Sequence, residues 1–141
     1  MNLSDPSIKK TLVLGWVLLA LWLPLGLTLE ALHGFKVSVY LTSELRRELW
    51  TLAHAHGGLL GIVCLLFAAI AGRAIPDDTA RASIARALRL AALLMPLGFF
   101  LGGILSSEGD ASPGVLLVPV GAVLLFFALF RAALATHATG R

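Results

Sequence analysis

Apolar residues run almost unbroken through four stretches of the chain, Thr11 to His33, Trp50 to Gly72, Ile84 to Leu105 and Gly114 to Thr136. A bilayer core of about 30 Å needs roughly 20 helical residues to cross it, so the pattern predicts four membrane-spanning helices. Polar and helix-breaking residues separate them, with Pro76-Asp77-Asp78 in the second connection and Gly109 to Gly114 in the third. The expected architecture is all-α, an integral membrane four-helix bundle forming one transmembrane domain over residues 1–141. Lys9 and Lys10 precede the first apolar run in the manner of a secretory signal, but no small-residue cleavage site ends that run, and it reads as a retained span.

The first connection carries the most pattern. Phe35 to Leu41 alternates as an extended or interfacial segment would, and Ser43 can cap a second helix that begins near Glu44 and pairs Glu44 with Arg47. Tyr40 and Trp50 are placed to anchor it at the membrane interface. Gly57 with Gly61, and Gly98 with Gly102, are small residues one turn apart and predict close helix approach on the second and third spans. Pro24, Pro96 and Pro119 predict bends. A faint repeat relates the two halves: Pro24, Leu25 and Gly26 recur as Pro96, Leu97 and Gly98, and Gly61 recurs as Gly121. If genuine, it makes a 2+2 parallel arrangement of helix pairs in which Glu30 corresponds to Gly102 and His54 to Gly114.

Composition agrees with the pattern: 58% of residues are hydrophobic, 13% are charged, and the mean hydropathy is +0.90. That excludes an ordinary soluble domain. The net charge of +3 does not point to nucleic acid, because the basic residues sit singly at the ends of apolar runs and form no stripe. They read as topology signals. Lys9, Lys10, Arg73, Arg81, Arg86, Arg89, Arg131 and Arg141 fall on one side, against Lys36, Arg46 and Arg47 on the other, which predicts both termini inside a bacterial inner membrane. The single cysteine, Cys64, rules out an intrachain disulfide or a thiolate cluster.

Counting residues from the cytoplasmic ends brings the polar side chains to one level at the outer face: Glu30, His33, His54, His56, Ser106, Ser107, Glu108, Asp110 and Ser112. On the cytoplasmic side only the arginines and His137 are expected. Gly26, Glu30 and His33 share one helix face, as do His54, Gly58 and Gly61, so Glu30, His33 and His54 are expected to converge while His56, about 200° around from His54, looks elsewhere. Glu30, His33 and His54 offer the oxygen and nitrogen donors that suit a transition metal, and His54, His33 and His56 are candidate haem or cofactor ligands. The same groups would suit proton transfer. Equally, they can stand wet in the headgroup region, paired with Lys36, Arg46 or Arg47.

The run Leu49-Trp50-Thr51-Leu52-Ala53-His54-Ala55-His56-Gly57-Gly58-Leu59-Leu60-Gly61 resembles the His-x-His helix of haem-copper oxidase subunit I, and is similar to small bacterial four-helix membrane proteins of unknown activity that carry a like run. In the oxidases two histidines so spaced leave opposite faces of one helix and bind different haems, so the resemblance implies a haem contact for His54 or His56. It covers 13 of the 141 residues, and the remaining helices and histidines of an oxidase have no counterpart here. Three functional expectations follow: a haem- or metal-binding redox or metal-handling protein, an accessory subunit packing against other membrane subunits or its own copies, and a small membrane enzyme or transporter moving protons through Glu30 and His54. The lipid bilayer is the one partner common to all three.

Overall fold

The computed structural model describes residues 4–104, 106 and 109–139. It is all-α. Helices α1 (Pro6–Gly34), α3 (Glu44–Ala74), α4 (Asp78–Ile104) and α5 (Leu117–Thr139) are long; α2 (Ser38–Leu41) is a single turn, and a 3₁₀ turn over Pro113–Leu116 leads into α5. Four segments, α1, α3, α4 and α5 with its leading turn, are long and apolar enough to cross a membrane, as the hydropathy pattern predicts. The helices run past the apolar stretches because polar residues cap them outside. Asp5 accepts from the Ser7 and Ile8 amides at 2.7 and 3.4 Å with Pro6 at the first position of α1, Ser43 accepts from the Arg46 amide ahead of α3, and Asp77 accepts from the Thr79 amide ahead of α4.

Two local expectations are corrected. The alternating segment after Phe35 forms the turn α2 instead of an extended strand: Lys36 takes a left-handed backbone (φ 53°), and Tyr40 and Leu41 both donate their amides to the Val37 carbonyl. Pro119 sits in the first turn of α5, where its missing N–H breaks no intrahelical bond, whereas Pro24 and Pro96 lie within α1 and α4.

The long helices pack in sequence order as an open row. α1 lies on α3, α3 on α4 and α4 on α5; α1 touches α4 more lightly, α5 barely reaches α3, and α1 and α5 do not meet. α4 is the central helix, and its alanines at 80, 85, 87, 91 and 92 are buried. Glycines set the close crossings, as the small-residue spacing implies, but each pair serves an outer neighbour. On α3, a Cβ at Gly61 would lie 3.2 Å from the Gly15 carbonyl oxygen of α1, and Gly57 lies beneath the Trp22 ring. On α4, a Cβ at Gly98 would lie 2.9 Å from the Val118 amide nitrogen of α5. With no hydrophobic drive between helices in lipid, such close backbone packing contributes to cohesion alongside interhelical hydrogen bonds.

Both hairpins, α1 with α3 and α4 with α5, are antiparallel, and their registers differ. Gly26 meets His54, whereas Gly98, which the expected repeat pairs with Gly26, meets Val118, which it pairs with Gly58, one turn along α3.

Candidate functional site

The end of the row away from the termini holds an aromatic and polar layer centred on α3. Ser43 caps that helix so that Arg46, Arg47, Trp50, His54 and His56 leave its first turns in fixed directions. Trp50 stacks on Tyr40 of α2 and on Phe100 of α4, with ring centroids 6.2 and 5.8 Å apart, and its Nε1 donates to the Phe100 carbonyl at 3.2 Å. Phe100 meets Trp22 of α1 edge-on at 6.1 Å. Arg46 lies over the Trp50 ring and donates to the carbonyls of Gly103 at 3.0 Å and Val39 at 2.6 Å; Arg47 donates to the Leu41 carbonyl. These arginines close the α2 turn onto α3 and α4 by binding backbone. Neither makes the ion pair with Glu44 expected from spacing, since both ion pairs among the described residues belong to Arg81.

His54 points toward α1. Its ring fills the space over Gly26, and Nδ1 stands 2.6 Å from the Trp22 carbonyl oxygen. A carbonyl only accepts, so Nδ1 carries the proton and Nε2 of the neutral ring is left with the lone pair. His56 points the other way, its ring 4.9 Å from Phe99 of α4 and its Nδ1 2.8 Å from the Leu52 carbonyl. The divergence of the two histidines follows the 100° step of a regular helix.

Glu30 and His33 leave α1 at other levels than His54 leaves α3. Gly72 faces Ile8, Gly57 faces Trp22 and His54 faces Gly26, so the same register sets Glu30 level with Trp50 and His33 level with Arg47. That separates Glu30 from His54 by one helical turn, about 6 Å, and His33 from it by about 10 Å along the axis. Both Glu30 and His33 are exposed. Among the described residues no group of three His, Cys, Asp or Glu side chains could hold a metal ion. Counting equal lengths from the terminal ends misses this because Gly72, at the end of the second apolar run, packs level with Ile8, ahead of Thr11 where the first run begins.

Of the remaining polar residues expected in this layer, Ser112 is buried and bonds both carbonyls at the end of α4, its Oγ to Leu101 at 2.6 Å and its amide to Gly102 at 3.0 Å. Ser106 donates to Gly103, and Asp110 is exposed. Ser107 and Glu108 lie outside the described residues. The layer holds one orphan: Nε1 of Trp22 is buried without a hydrogen-bond partner among the described residues, although the side chain lies between Gly57 and Phe100. A buried donor in that state marks a place where water or a ligand atom would be stabilised.

The terminal end contradicts the expectation of lone arginines. Arg81, 7% exposed, donates to Asp5 at 2.7 Å, to Asp78 and to the Ile75 carbonyl at 2.7 Å, tying the start of α4 to the cap of α1. Arg89 donates from Nη1 to Thr11 Oγ1 at 2.9 Å and to the Ser7 carbonyl at 3.2 Å. Burial pushes the Asp5 carboxyl up, but the hydrogen bonds from Ser7, Arg81 and the Ser7 and Ile8 amides outweigh it and hold the group at about 2. The partner that Asp5 finds across 76 residues is not legible in the sequence. No family model, curated protein or solved structure matches the chain.

Proposed function

We propose that this multi-pass membrane protein is a non-catalytic accessory subunit of a larger membrane assembly, resident in a bacterial inner membrane with both termini on the cytoplasmic side. The observation that carries this reading is the open row of helices. α5 packs on α4 almost alone, burying Gly121 and Ala128, and its opposite face, including the stacked pair Phe126 and Phe130, is exposed. The buried polar side chains at both ends, Arg81, Thr11 and Ser112, bond within the chain and hold helices together. The surplus of Lys and Arg on the terminal side supports the orientation.

Mild-detergent extraction followed by native electrophoresis tests it, with single cysteines at Val123 or Phe126 in a Cys64→Ala background for cross-linking. Migration well above a single chain, with cross-links formed from α5, is expected. A monomer in nanodiscs made directly from membranes, with no cross-link from α5 or from the outer face of α1, would remove the reading.

A second reading keeps the imidazole chemistry. With Nδ1–H given to the Trp22 carbonyl, His54 has the tautomer and outer hydrogen bond typical of a histidine that ligates a metal or haem through Nε2. His56 is similarly set by the Leu52 carbonyl. Other ligands would have to come from outside the described residues or from a partner, which joins this reading to the first. A visible spectrum and elemental analysis of the purified protein separate the two: a Soret band or stoichiometric metal lost in His54→Ala supports it. Proton transfer from Glu30 to His54 would have to bridge the turn between them.

A further inference from the structure

A groove of about 660 Å³ opens between α1 and α4 at the terminal end. The Asp5 to Arg81 bond fixes these two parallel helices side by side, so that residues of like depth follow one another down both walls. At the mouth stand Lys9 and Lys10 from α1 and Arg86 and Arg89 from α4. Arg89 lies deepest in sequence, but its guanidinium is held at the level of Ser7 and Thr11 by hydrogen bonds, which brings all four cations to one height. Below them the walls are apolar, with Val13 and Val17 on one side and Leu90 and Leu93 on the other, all exposed.

Cations that serve only to orient membrane insertion need no particular place around the helices. These four share one groove, whereas Arg131 lies in a separate cleft with Ile75 and Ala135. They are also uncompensated, because the two ion pairs among the described residues are both made by Arg81. Four like charges above an apolar furrow form the complement of a molecule with an anionic head and hydrocarbon tails.

We infer that this groove binds an anionic phospholipid, its phosphates among Lys9, Lys10, Arg86 and Arg89 and its acyl chains along the furrow below. Four cations in one cluster match two phosphates better than one, so a diphosphatidylglycerol headgroup is preferred over a single-phosphate one. The lipid neutralises the cluster and fills the seam where α1 and α4 touch only lightly.

Native mass spectrometry of the full chain, titrated with cardiolipin, phosphatidylglycerol or phosphatidylcholine, tests this directly. One cardiolipin retained per chain in preference to phosphatidylcholine is expected. Combining Lys9→Gln, Lys10→Gln and Arg86→Gln should weaken retention on the order of tenfold or more. The control combination Lys36→Gln, Arg73→Gln and Arg131→Gln removes equal charge and should leave retention unchanged. Val13→Trp keeps every charge, obstructs the furrow and should also weaken retention, which covers the case of a charge variant that fails to fold. Equal loss in the control, equal retention of phosphatidylcholine, or no effect of Val13→Trp would overturn the inference. Displacement of the lipid by millimolar inorganic phosphate would also overturn it, by showing a site for free phosphate.

Discussion

The imidazole of His54 occupies the notch that Gly26 leaves in α1, with its Nδ1 2.6 Å from the carbonyl oxygen of Trp22. A methyl group at position 26 would overlap the ring, so the glycine and the histidine are one packing unit. Gly26→Ala is expected to cost about 1–3 kcal/mol by overpacking. Gly58→Ala, on α3, meets nothing within 4 Å and should be neutral or stabilising by up to about 1 kcal/mol, since it removes a helical glycine. His54→Ala should be destabilising alone and should relieve Gly26→Ala, giving a coupling in the double variant on the order of 1 kcal/mol. Glu30→Gln and His33→Ala, on exposed positions, should stay within about 0.5 kcal/mol. Unfolding in mixed detergent micelles measures all of these; additive effects at positions 26 and 54 would deny the unit.

Trp22 and Trp50 differ in one respect that substitution can isolate. Trp50 Nε1 donates to the Phe100 carbonyl, whereas Trp22 Nε1 is buried without a partner among the described residues. Trp→Phe removes the same ring atoms at both, from a buried side chain at 22 and a half-buried one at 50. At position 22 it also removes an unsatisfied donor, whose burial costs about 1–3 kcal/mol, so Trp22→Phe should be the milder change in thermal melting. The reverse order would mean that the deeper packing of Trp22, or a water, lipid or ligand atom on its Nε1, outweighs the gain from removing the donor.

The helices and the Ser43 cap were legible in the sequence because they rest on local signals, apolar length and Ser43 before Glu44. Small-residue spacing found the right glycines and not their partners. Gly98 faces Val118 and Gly57 faces Trp22, and nothing local says which neighbour a small-residue face will meet. The opposed directions of His54 and His56 followed from helix geometry alone. The expected convergence of Glu30 and His33 on His54 depended on inter-helix register, which the contacts of Gly72 with Ile8, Gly57 with Trp22 and His54 with Gly26 set. The ion pair of Arg81 escaped notice for the same reason: its carboxylate partner Asp5 caps another helix.

The two glycine crossings should respond unequally to a methyl group. At Gly98 the added carbon would stand 2.9 Å from the Val118 amide nitrogen, a backbone atom that can move only with α5 as a whole. At Gly61 the nearest atoms, the Gly15 carbonyl oxygen and Leu18 Cβ, are 3.2 Å away, so a shift of a few tenths of an ångström suffices. Gly98→Ala is therefore expected to be the more destabilising, with α5 the helix released. Loss of a disulfide engineered between α4 and α5, while one between α1 and α3 still forms, would report it. Equal effects on both pairs would show that the row unfolds as one body.

Asp5 gives the protein an acid limit. Its carboxylate caps α1, receives the Arg81 guanidinium and is held at about 2, below its ordinary value of 3.8. A carboxylate whose folded-state pKa is depressed stabilises the native state fully above the unfolded value and loses that contribution as the pH falls through the folded one. Stability should therefore be insensitive to Asp5 from neutrality down to about pH 4, then decline between about pH 4 and 2 by on the order of 2 kcal/mol. Asp5→Asn should lower stability at neutral pH, since it leaves Arg81 with a neutral partner at the α1–α4 contact, and should flatten the acid decline because the titrating group is gone. Arg81→Gln should shrink the acid decline and end it at a higher pH, because Asp5 then keeps its amide donors, loses the cation and titrates nearer its unfolded value. Thermal melting of the detergent-solubilised protein from pH 7 to 2 checks the three curves together. An undiminished acid decline in Asp5→Asn would transfer the effect to other carboxylates and deny Asp5 this role.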